Sequence, residues 1–282
     1  DLPFDFDELV LKPRDTGVLR PLFERYEFRT WLRELDAAAT ANPDIPEQDS
    51  SGNHRAHYET LLTETQLDTW IARLSSAPTF ALDTETTSLD AMQAELVGIS
   101  FATAHGEAPY LPLAHHYAGA PAQLDRDAAL AKLKPLLENR EPKIIGQHLK
   151  YDRHVFANYD IVLGGVIDDT LLQSYVIEAH QSHELGNLAS RHLGLETISY
   201  DDVTGKGAAR IGFEQVAIER ASEYAAEDAD VTLRVRDALA PQIEASDKLG
   251  FVYRHIELPV AEILFRMERT GVLIDRTLLA AQ

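Results

Sequence analysis

Short apolar runs separated by turn residues fill residues 58–146 and predict a group of β-strands. The predicted strands are 58–62, 80–82 with the residues that follow, 96–102, 109–114 and 143–146. The third and fourth runs are joined by a His105-Gly106-Glu107 turn, and two such runs around a short glycine-containing turn are typical of a hairpin. The pattern therefore predicts a sheet that includes an antiparallel pair.

Apolar residues that recur every three or four positions predict helices between and after these strands. The predicted helices are 65–74, 127–139, 149–158, 168–178, 185–193 and 213–239, the last as one helix or two, with further helices past Pro241. Thr65 is the predicted N-cap of the first helix, and the polar, glycine-containing stretch 200–212 predicts a loop. Strands followed by helices favour an α/β fold, with a mixed sheet surrounded by helices.

Two different patterns precede the strands. Residues 15–39 carry apolar positions at helical spacing, but one or two helices are too small to bury a core of their own. Residues 41–57 combine two prolines and a glycine with polar side chains, which is typical of a linker. We therefore predict a helical segment over 1–40, a linker over 41–57 and a larger domain from 58 onward.

The net charge of the chain is −20. This argues against a free-standing nucleic-acid-binding protein, since such proteins bind phosphates through basic residues, but it allows an enzyme that meets nucleic acid through metal ions. Cysteine is absent, which excludes disulfides, thiolate metal sites and a cysteine nucleophile and agrees with a reducing cytoplasm. The acidic start lacks a basic leader, and no apolar run is long enough to span a bilayer. We therefore expect no membrane association.

Asp83 and Glu85 stand two positions apart directly after the apolar run 80–82. Residues i and i+2 of a strand point to the same face, so two carboxylates lie side by side next to apolar residues. Like charges in such surroundings repel unless a cation is present, and Mg²⁺ and Mn²⁺ prefer oxygen ligands. The alternative interpretation is that the strand ends here and both carboxylates face water.

Two further acidic positions favour the metal hypothesis. Asp152 falls in the first turn of the predicted helix 149–158, where an acid also suits the helix dipole. Tyr224 and Asp228 are four positions apart in the predicted helix 213–239 and share one face; alternatively, they are a core aromatic residue and a solvated acid. Together, the four carboxylates and the tyrosine are typical of a two-metal phosphodiesterase site, in which two ions activate water and stabilise an in-line displacement at phosphorus.

Three motifs carry a resemblance to a known family. They are Asp83-Thr84-Glu85-Thr86, the stretch from Gly146 to Asp152, and the stretch from Tyr224 to Asp230. This set resembles the exonuclease motifs of the DEDD superfamily, tyrosine subclass, and in detail the proofreading domain of family A bacterial DNA polymerases, the DNA polymerase I family. The resemblance covers about residues 58–245. Residues 15–39 and 257–275 also resemble that family, as the end of its 5′-nuclease region and the start of its polymerase region.

The resemblance implies a fold and a domain order. The implied fold is α/β, a ribonuclease H-like mixed β-sheet flanked by α-helices, with helical N- and C-terminal extensions. The implied domains are a helical tail after a 5′-nuclease region (1–40), a linker (41–57), a 3′-5′ exonuclease domain (58–245) and the truncated start of a polymerase region (246–282). Too few residues follow position 245 for a nucleotidyl-transfer domain, so no polymerase site is expected in this chain.

The resemblance further implies two divalent cations, Mg²⁺ or Mn²⁺, and a catalytic role for five residues. Asp83 would bridge both ions. Glu85 and Asp228 would complete the ligands of the first ion, and Asp152 would hold the second. Tyr224, together with Glu85, would orient the attacking water.

Substrate contacts are implied by the same resemblance. Leu89 and Phe213 resemble apolar positions that grip the terminal bases, and such stacking or wedging is tolerant of sequence. The other implied contacts are Thr84, His148, Tyr151 and Lys206, with Lys150, Arg153 and Arg210 as further phosphate candidates. Ordinary surface charge is the alternative for these cations. Many relatives carry Asn where His148 stands, which changes the hydrogen-bond geometry there and introduces a pH dependence.

We therefore predict a 3′-5′ exodeoxyribonuclease that removes terminal deoxynucleotides, as the proofreading domain of a replication and repair DNA polymerase. One alternative is an RNA 3′-5′ exonuclease of the ribonuclease D type, which shares the motifs. Another is a catalytically silent scaffold domain. The expected partners are a single-stranded or frayed DNA 3′ end and the polymerase domain of the same full-length chain. We expect a monomer in the bacterial cytoplasm, associated with the nucleoid.

Overall fold

The computed structural model describes residues 16–26, 28, 31 and 57–281. The chain divides into two compact units, Asp1–Asn53 and His54–Gln282. The described part of the first unit contains helix α1, Thr16–Arg25, and the packed rings of Phe28 and Trp31, whose centroids are 4.7 Å apart. Of the predicted linker 41–57, all but His57 lies outside the described residues.

A six-stranded sheet forms the centre of the second unit. Its strands are β1 (His57–Thr60), β2 (Thr79–Thr86), β3 (Leu96–Ala102), β4 (Glu107–Pro112), β5 (Lys143–Gly146) and β6 (Val166–Asp169), in the spatial order β1-β4-β3-β2-β5-β6. The pairs β2–β3 and β3–β4 are antiparallel, whereas β1–β4, β2–β5 and β5–β6 are parallel. The mixed sheet and the hairpin predicted from the sequence are confirmed.

Helices surround this sheet. They are α2 (Glu64–Ser76), α3 (Arg126–Leu137), α4 (Leu149–Ala157), α5 (Thr170–Glu178), α6 (Leu185–Leu193), α7 (Tyr200–Thr204), α8 (Ile218–Glu244), α9 (Asp247–Val252), α10 (Leu258–Thr270) and α11 (Arg276–Ala281). A π-helical turn, Tyr253–Glu257, joins α9 to α10, and two 3-10 turns, Gly207–Ala209 and Phe213–Gln215, precede α8. Among the described helices, none combines the length and the apolar character needed to cross a lipid bilayer.

Apolar side chains fill the space on both faces of the sheet. On one face α2, α3 and α4 pack against large side chains of the strands, and Phe80 meets Phe101 edge to face at 6.0 Å between ring centroids. On the other face α8 packs through alanines, with Ala226 and Ala229 beside Ala81. These small side chains let α8 lie close to β2, and this helix carries two of the predicted site residues.

The start of α2 and the extent of α8 refine the sequence predictions. Thr63, rather than Thr65, is the N-cap of α2, because its hydroxyl accepts from the N–H of Gln66 while the Gln66 side chain accepts from the N–H of Thr63. This reciprocal capping box satisfies two backbone donors at once. Helix α8 runs as a single helix of 27 residues.

The hydrophobic pattern does not predict strand β6 or helix α7. Strand β6 is four residues long and leads directly into α5, so its apolar residues merge with the helical periodicity of 168–178. Helix α7 occupies the start of the predicted loop 200–212, because Ser199 and Asp202 form a capping box there. Helix α7 therefore depends on a local polar contact, and β6 on its pairing with β5, neither of which periodicity reports.

Helix α10 packs on the outer side of α4. Three side-chain contacts join them: Lys150–Glu268, His154–Glu268 and Arg153–Glu262. The Phe265 ring lies 4.7 Å from the His154 ring between centroids, and the Arg153 guanidinium lies 4.5 Å from the Phe265 centroid. Helix α4 is therefore enclosed between the sheet and α10.

Candidate active site

The end of β2 carries the first two carboxylates. Asp83 and Glu85 pair with Ser100 and Gly98 of β3, and as alternate residues of one strand they point to the same face. A register shift follows directly after Glu85, and such a bulge bends the strand as it leaves the sheet. A Cβ at position 98 would overlap the Tyr110 ring. Glycine therefore lets this ring lie against the strand, close to the two carboxylates.

Two helices add the other predicted acids. Asp228 projects from α8, and one oxygen each of Asp83, Glu85 and Asp228 lies within 4.8 Å of the others. Asp152 lies in the first turn of α4 and is 2% exposed. The hydroxyl of Thr84 donates a hydrogen bond to Oδ1 of Asp152 at 2.5 Å. Thr84, a predicted substrate contact, is thus buried and directed at Asp152.

All four carboxyl groups lie in surroundings that raise their pKa. Burial is the largest cause for each, and it raises the pKa of Asp83 to about 7. The charges of its three acidic neighbours raise the pKa of Glu85 further, and the charge of Asp83 does the same for Asp152 and Asp228. The groups repel one another when ionised, and a divalent cation among them would offset that repulsion.

The donor set fits a hard divalent cation. In the part of the chain that the structure describes, the group of potential metal ligands consists of carboxylates alone, Asp83, Glu85 and Asp228. Carboxylate oxygens are the donors that Mg²⁺ and Mn²⁺ prefer over softer metals. Asp152 stands outside this tight group, but the charge of Asp83 raises its pKa.

Tyr224 lies one helical turn before Asp228 on the same face of α8. Burial raises the pKa of its hydroxyl well above the ordinary value, and the charges of Asp228, Glu85 and Asp83 act in the same direction. The hydroxyl in turn lowers the pKa of Asp228. Tyr224 therefore remains protonated beside the carboxylates, and its hydroxyl donates toward Asp228.

A cleft of about 430 Å³ opens beside the carboxylates. It is lined by residues 84–89 together with His148, Tyr151, Tyr200 and Arg210. Leu89 is 98% exposed in this wall. The Tyr151 hydroxyl donates to the carbonyl oxygen of Ser88 at 2.5 Å and also contacts the Thr86 hydroxyl. Tyr151 thereby holds the turn that presents Leu89.

A family model described as 3′-5′ exonuclease, of the DNA polymerase A type, matches residues 58–244. The chain belongs to this exonuclease family. The matched region includes the four carboxylates, Tyr224 and the cleft. The resemblance predicted from three short motifs is confirmed, and so is the assignment to the 3′-5′ exonuclease class of enzymes.

A full-length relative and two solved structures are similar to this exonuclease chain. DNA polymerase I of Pseudomonas aeruginosa is 44% identical over 285 residues, which cover 100% of this chain and 31% of that protein. The chain thus spans about a third of the length of this curated relative. The polymerase domain of Pol1 from M. smegmatis aligns with a TM-score of 0.60 at 22% identity, over 77% of this chain and 33% of that one.

The second solved structure is Escherichia coli RNase D. It aligns with a TM-score of 0.54 at 20% identity, over 77% of this chain and 52% of that one. At such low identity both structural likenesses concern the fold alone. They confirm the predicted ribonuclease H-like exonuclease fold, a mixed sheet flanked by helices.

The aromatic residues of this exonuclease domain differ in their exposure to the cleft. Phe213 is 1% exposed and packs against Tyr200 and Tyr224 at 6.1 and 5.9 Å between ring centroids. Its ring is thus covered by these neighbours in this structure, and its contact with a terminal base stays a prediction. Tyr200 is 40% exposed and lines the cleft. Its signal in the sequence is weak, since it is one aromatic residue at the start of a short polar helix.

The four predicted phosphate contacts of the exonuclease domain all lie near acidic side chains. They are Lys150 and Arg153, which contact α10, and Lys206 and Arg210, which contact Asp201. The Lys206 ammonium is 3.9 Å from Asp201, on a side chain that is 75% exposed. Arg210 also lies over the Tyr200 ring at 5.8 Å and is the one of the four that lines the cleft.

Proposed function

We propose that this chain is a metal-dependent 3′-5′ exonuclease that removes deoxynucleotides one at a time from single-stranded or frayed DNA ends. The observation that carries the proposal is the cluster of four carboxylates beside Tyr224. Acids whose pKa values are raised by burial and mutual repulsion destabilise a fold unless they bind cations. A silent scaffold domain would gain nothing from such a cluster, which argues against that alternative.

Two divalent cations of the Mg²⁺ or Mn²⁺ type suit these residues. Asp83, Glu85 and Asp228 would hold the first, as the spacing of their oxygens supports. Asp83 and Asp152 would hold the second, since a cation between them would offset the repulsion by which Asp83 raises the pKa of Asp152. When bound, such ions lower the pKa of a water molecule and stabilise the charge that develops around phosphorus.

The reaction is hydrolysis of the terminal phosphodiester bond. A water oxygen bonds to the phosphorus, the bond to the 3′ oxygen of the penultimate nucleotide breaks, and that oxygen leaves with a proton. The product is a deoxynucleoside monophosphate. Because its pKa is raised, the Tyr224 hydroxyl stays protonated and would orient the attacking water by a hydrogen bond.

The cleft residues would hold the substrate end. Leu89 is fully accessible to a base and Tyr200 presents an exposed ring in the same cleft. Wedging and stacking contacts of this kind do not depend on base identity, as removal of any mispaired nucleotide requires. His148 and Arg210 line the cleft as well and would contact the sugar-phosphate backbone.

Tyr200→Ala is expected to lower kcat/KM on single-stranded DNA by about 10- to 100-fold, since stacking of one base on an aromatic side chain contributes ~1–3 kcal/mol. Tyr200→Phe keeps the ring and is expected to stay within about threefold of wild type. The matched control is Tyr175→Ala, which removes a ring that is 49% exposed and does not line the cleft. A Tyr200→Ala enzyme with wild-type kcat/KM would contradict the assignment.

A ribonuclease D-type activity is the second candidate, because the fold is similar to that of E. coli RNase D. The 44% identity to a DNA polymerase I along the whole chain favours DNA as the substrate. The two candidates differ in how they treat the 2′-hydroxyl of the terminal sugar, so substrate preference separates them.

The test is a digest of 5′-labelled DNA and RNA oligonucleotides of the same sequence. With Mg²⁺ or Mn²⁺ we expect a ladder of DNA products shortened from the 3′ end, release of monophosphates, and no products in EDTA. RNA is expected to be degraded at least tenfold more slowly, which corresponds to ~1.4 kcal/mol of discrimination. Intact DNA in the presence of both metals would contradict an exonuclease, and faster cleavage of RNA would favour the ribonuclease.

The full-length protein is proposed to join this domain to a polymerase domain in one chain, as the similarity to DNA polymerase I supports. Residues 1–40 would then follow a 5′-nuclease region, and residues 246–282 would begin the polymerase region. We propose that such a protein acts as a monomer in the bacterial cytoplasm, at the nucleoid. The polymerase domain would deliver frayed primer ends to the cleft described above.

A further inference from the structure

A single buried carboxylate, Asp169, joins two helices next to the active site. It is 4% exposed and is the last residue of β6. Its Oδ1 accepts a hydrogen bond from the N–H of His148 at 3.0 Å, and its Oδ2 accepts from the N–H of Leu149 at 2.9 Å. Oδ1 also accepts from the N–H groups of Leu171 at 3.0 Å and Leu172 at 3.4 Å. One carboxylate therefore caps the N-termini of both α4 and α5.

The backbone of His148 makes this contact important. His148 has φ 62 and ψ 42, in the left-handed region, which costs ~1–2 kcal/mol for a residue with a side chain. It is the N-cap of α4, yet its own side chain makes no capping hydrogen bond. Asp169 supplies the acceptor that His148 lacks and holds the strained backbone in place.

Two groups of the active site depend on this backbone. The His148 side chain lines the cleft, and its direction is set by its own φ and ψ. Asp152 lies in the first turn of α4, so its position follows from where that turn begins. Thr84 fixes one oxygen of Asp152. The backbone at the start of α4, by contrast, is held by its hydrogen bonds to Asp169.

Asp169 is itself held from outside the region that matches the exonuclease family. Tyr253, in the π-helical turn, is 2% exposed. Its hydroxyl oxygen accepts from the N–H of Asp169 at 2.9 Å and donates to Oδ1 of Asp168 at 3.0 Å. Asp168 also accepts from Nε of Arg236 on α8 at 2.8 Å. The end of β6 is therefore fixed from two sides.

We propose that Asp169 is a positioning residue of the exonuclease reaction. By holding the backbone of His148 and Leu149 it places Asp152 for metal binding and His148 for substrate, and Tyr253 supports it from beyond the matched region. The proposal rests on the proposed function. The proposal goes beyond that function by assigning a role to Asp169, a carboxylate that lies outside the metal cluster.

The test substitution is Asp169→Asn, which preserves size but leaves one acceptor oxygen where there were two. We expect kcat on single-stranded DNA to fall about 10- to 100-fold, the range typical of residues that orient metal ligands. We also expect the midpoint of Mn²⁺ activation to rise. Mn²⁺ binding without DNA, followed by electron paramagnetic resonance, should weaken by a similar factor. Tyr253→Phe should shift the same quantities in the same direction, by about threefold.

Asp125→Asn is the matched control. Asp125 caps α3 through the N–H of Ala128 at 2.9 Å, away from the cleft. Asparagine caps a helix about as well as aspartate, so this variant removes a capping carboxylate elsewhere in the fold and is expected to keep wild-type kcat and Mn²⁺ binding. Asp169→Asn protein with wild-type kcat and Mn²⁺ binding would overturn the proposal, even if its melting temperature fell. If Asp169→Asn does not fold, wild-type behaviour of Tyr253→Phe overturns it instead. Wild-type protein that leaves DNA intact would contradict the proposed function itself.

Discussion

Asp83→Asn is expected to lower exonuclease activity by at least about a thousandfold, which is ~4 kcal/mol of transition-state stabilisation. The metal-free variant is nevertheless expected to be at least as stable as wild type. Asp83 interacts with every other acid of the cluster, because its charge raises the pKa of each of the other three carboxyl groups. Its removal abolishes the proposed shared metal ligand and, in the absence of metal, relieves repulsion. The measurements are single-turnover cleavage in Mg²⁺ and thermal unfolding in EDTA.

The opposite signs of the two effects distinguish this result from ordinary misfolding, which would lower activity and stability together. Asp160→Asn is a suitable control, because Asp160 is an exposed aspartate with a φ of 56 and asparagine is also well tolerated there. It should change neither quantity. Wild-type cleavage by the Asp83→Asn variant would show that the cluster is not the catalytic centre.

Metal-free protein is expected to become less stable as the pH rises from about 4 to about 7. The pKa of Asp83 is raised from 3.8 to about 7 in the folded protein. Between these values the folded carboxyl keeps its proton while the unfolded one has lost it, so each increase in pH favours the unfolded state. The stabilising contribution is complete below pH 4 and is lost as the pH passes 7. The measurement is the melting temperature in EDTA across this range.

Divalent cations are expected to reverse this trend, because they compete with protons for the same oxygens. At pH 8, Mn²⁺ at about 100 times its dissociation constant should stabilise the protein by ~2.7 kcal/mol, or roughly 5–10 °C for a domain of this size. At pH 5 the gain should be much smaller. Equal stabilisation at both pH values would contradict metal binding by these buried acids.

Buried histidines act in the opposite direction and must be separated from this effect. Burial lowers the pKa of His115 to about 4, so its contribution to stability is lost as the pH falls from about 6.5 to 4. A double variant, Asp83→Asn with Glu85→Gln, keeps this histidine but removes two of the acids. The difference between the wild-type and double-variant curves isolates the carboxylate contribution.

The sequence predicts the parts of the site that depend on local geometry. Asp83 and Glu85 share a face because alternation in a strand has a period of two, and Tyr224 and Asp228 share a face because a helix has 3.6 residues per turn. Both pairs lie as predicted. Thr84 is different: the resemblance implies a substrate contact for it, and only the tertiary fold shows that its hydroxyl points toward Asp152 on another element.

The parts that sequence reasoning misses depend on distant partners. Phe213 and Tyr200 are both aromatic residues in short segments before α8, and only the packing around α8 determines which ring is buried. Lys150 is a predicted phosphate candidate, and the sequence does not indicate that Glu268 of α10 lies beside it. In the sequence, Asp169 lies at the start of a predicted helix. Its hydrogen bond from the N–H of His148 follows from the pairing of β5 with β6, which the sequence does not indicate.

Helix α10 has a consequence for how this part of the protein is inherited. The family match ends at residue 244, yet Phe265 and the Glu262 and Glu268 carboxylates cover the outer side of α4. Recombination between relatives that exchanged the matched region alone would set the cations of one α4 against the acids of a foreign α10. We therefore expect the sequences of α4 and α10 to covary among relatives. The segment that is inherited as a unit would then extend beyond residue 244, where the family match ends.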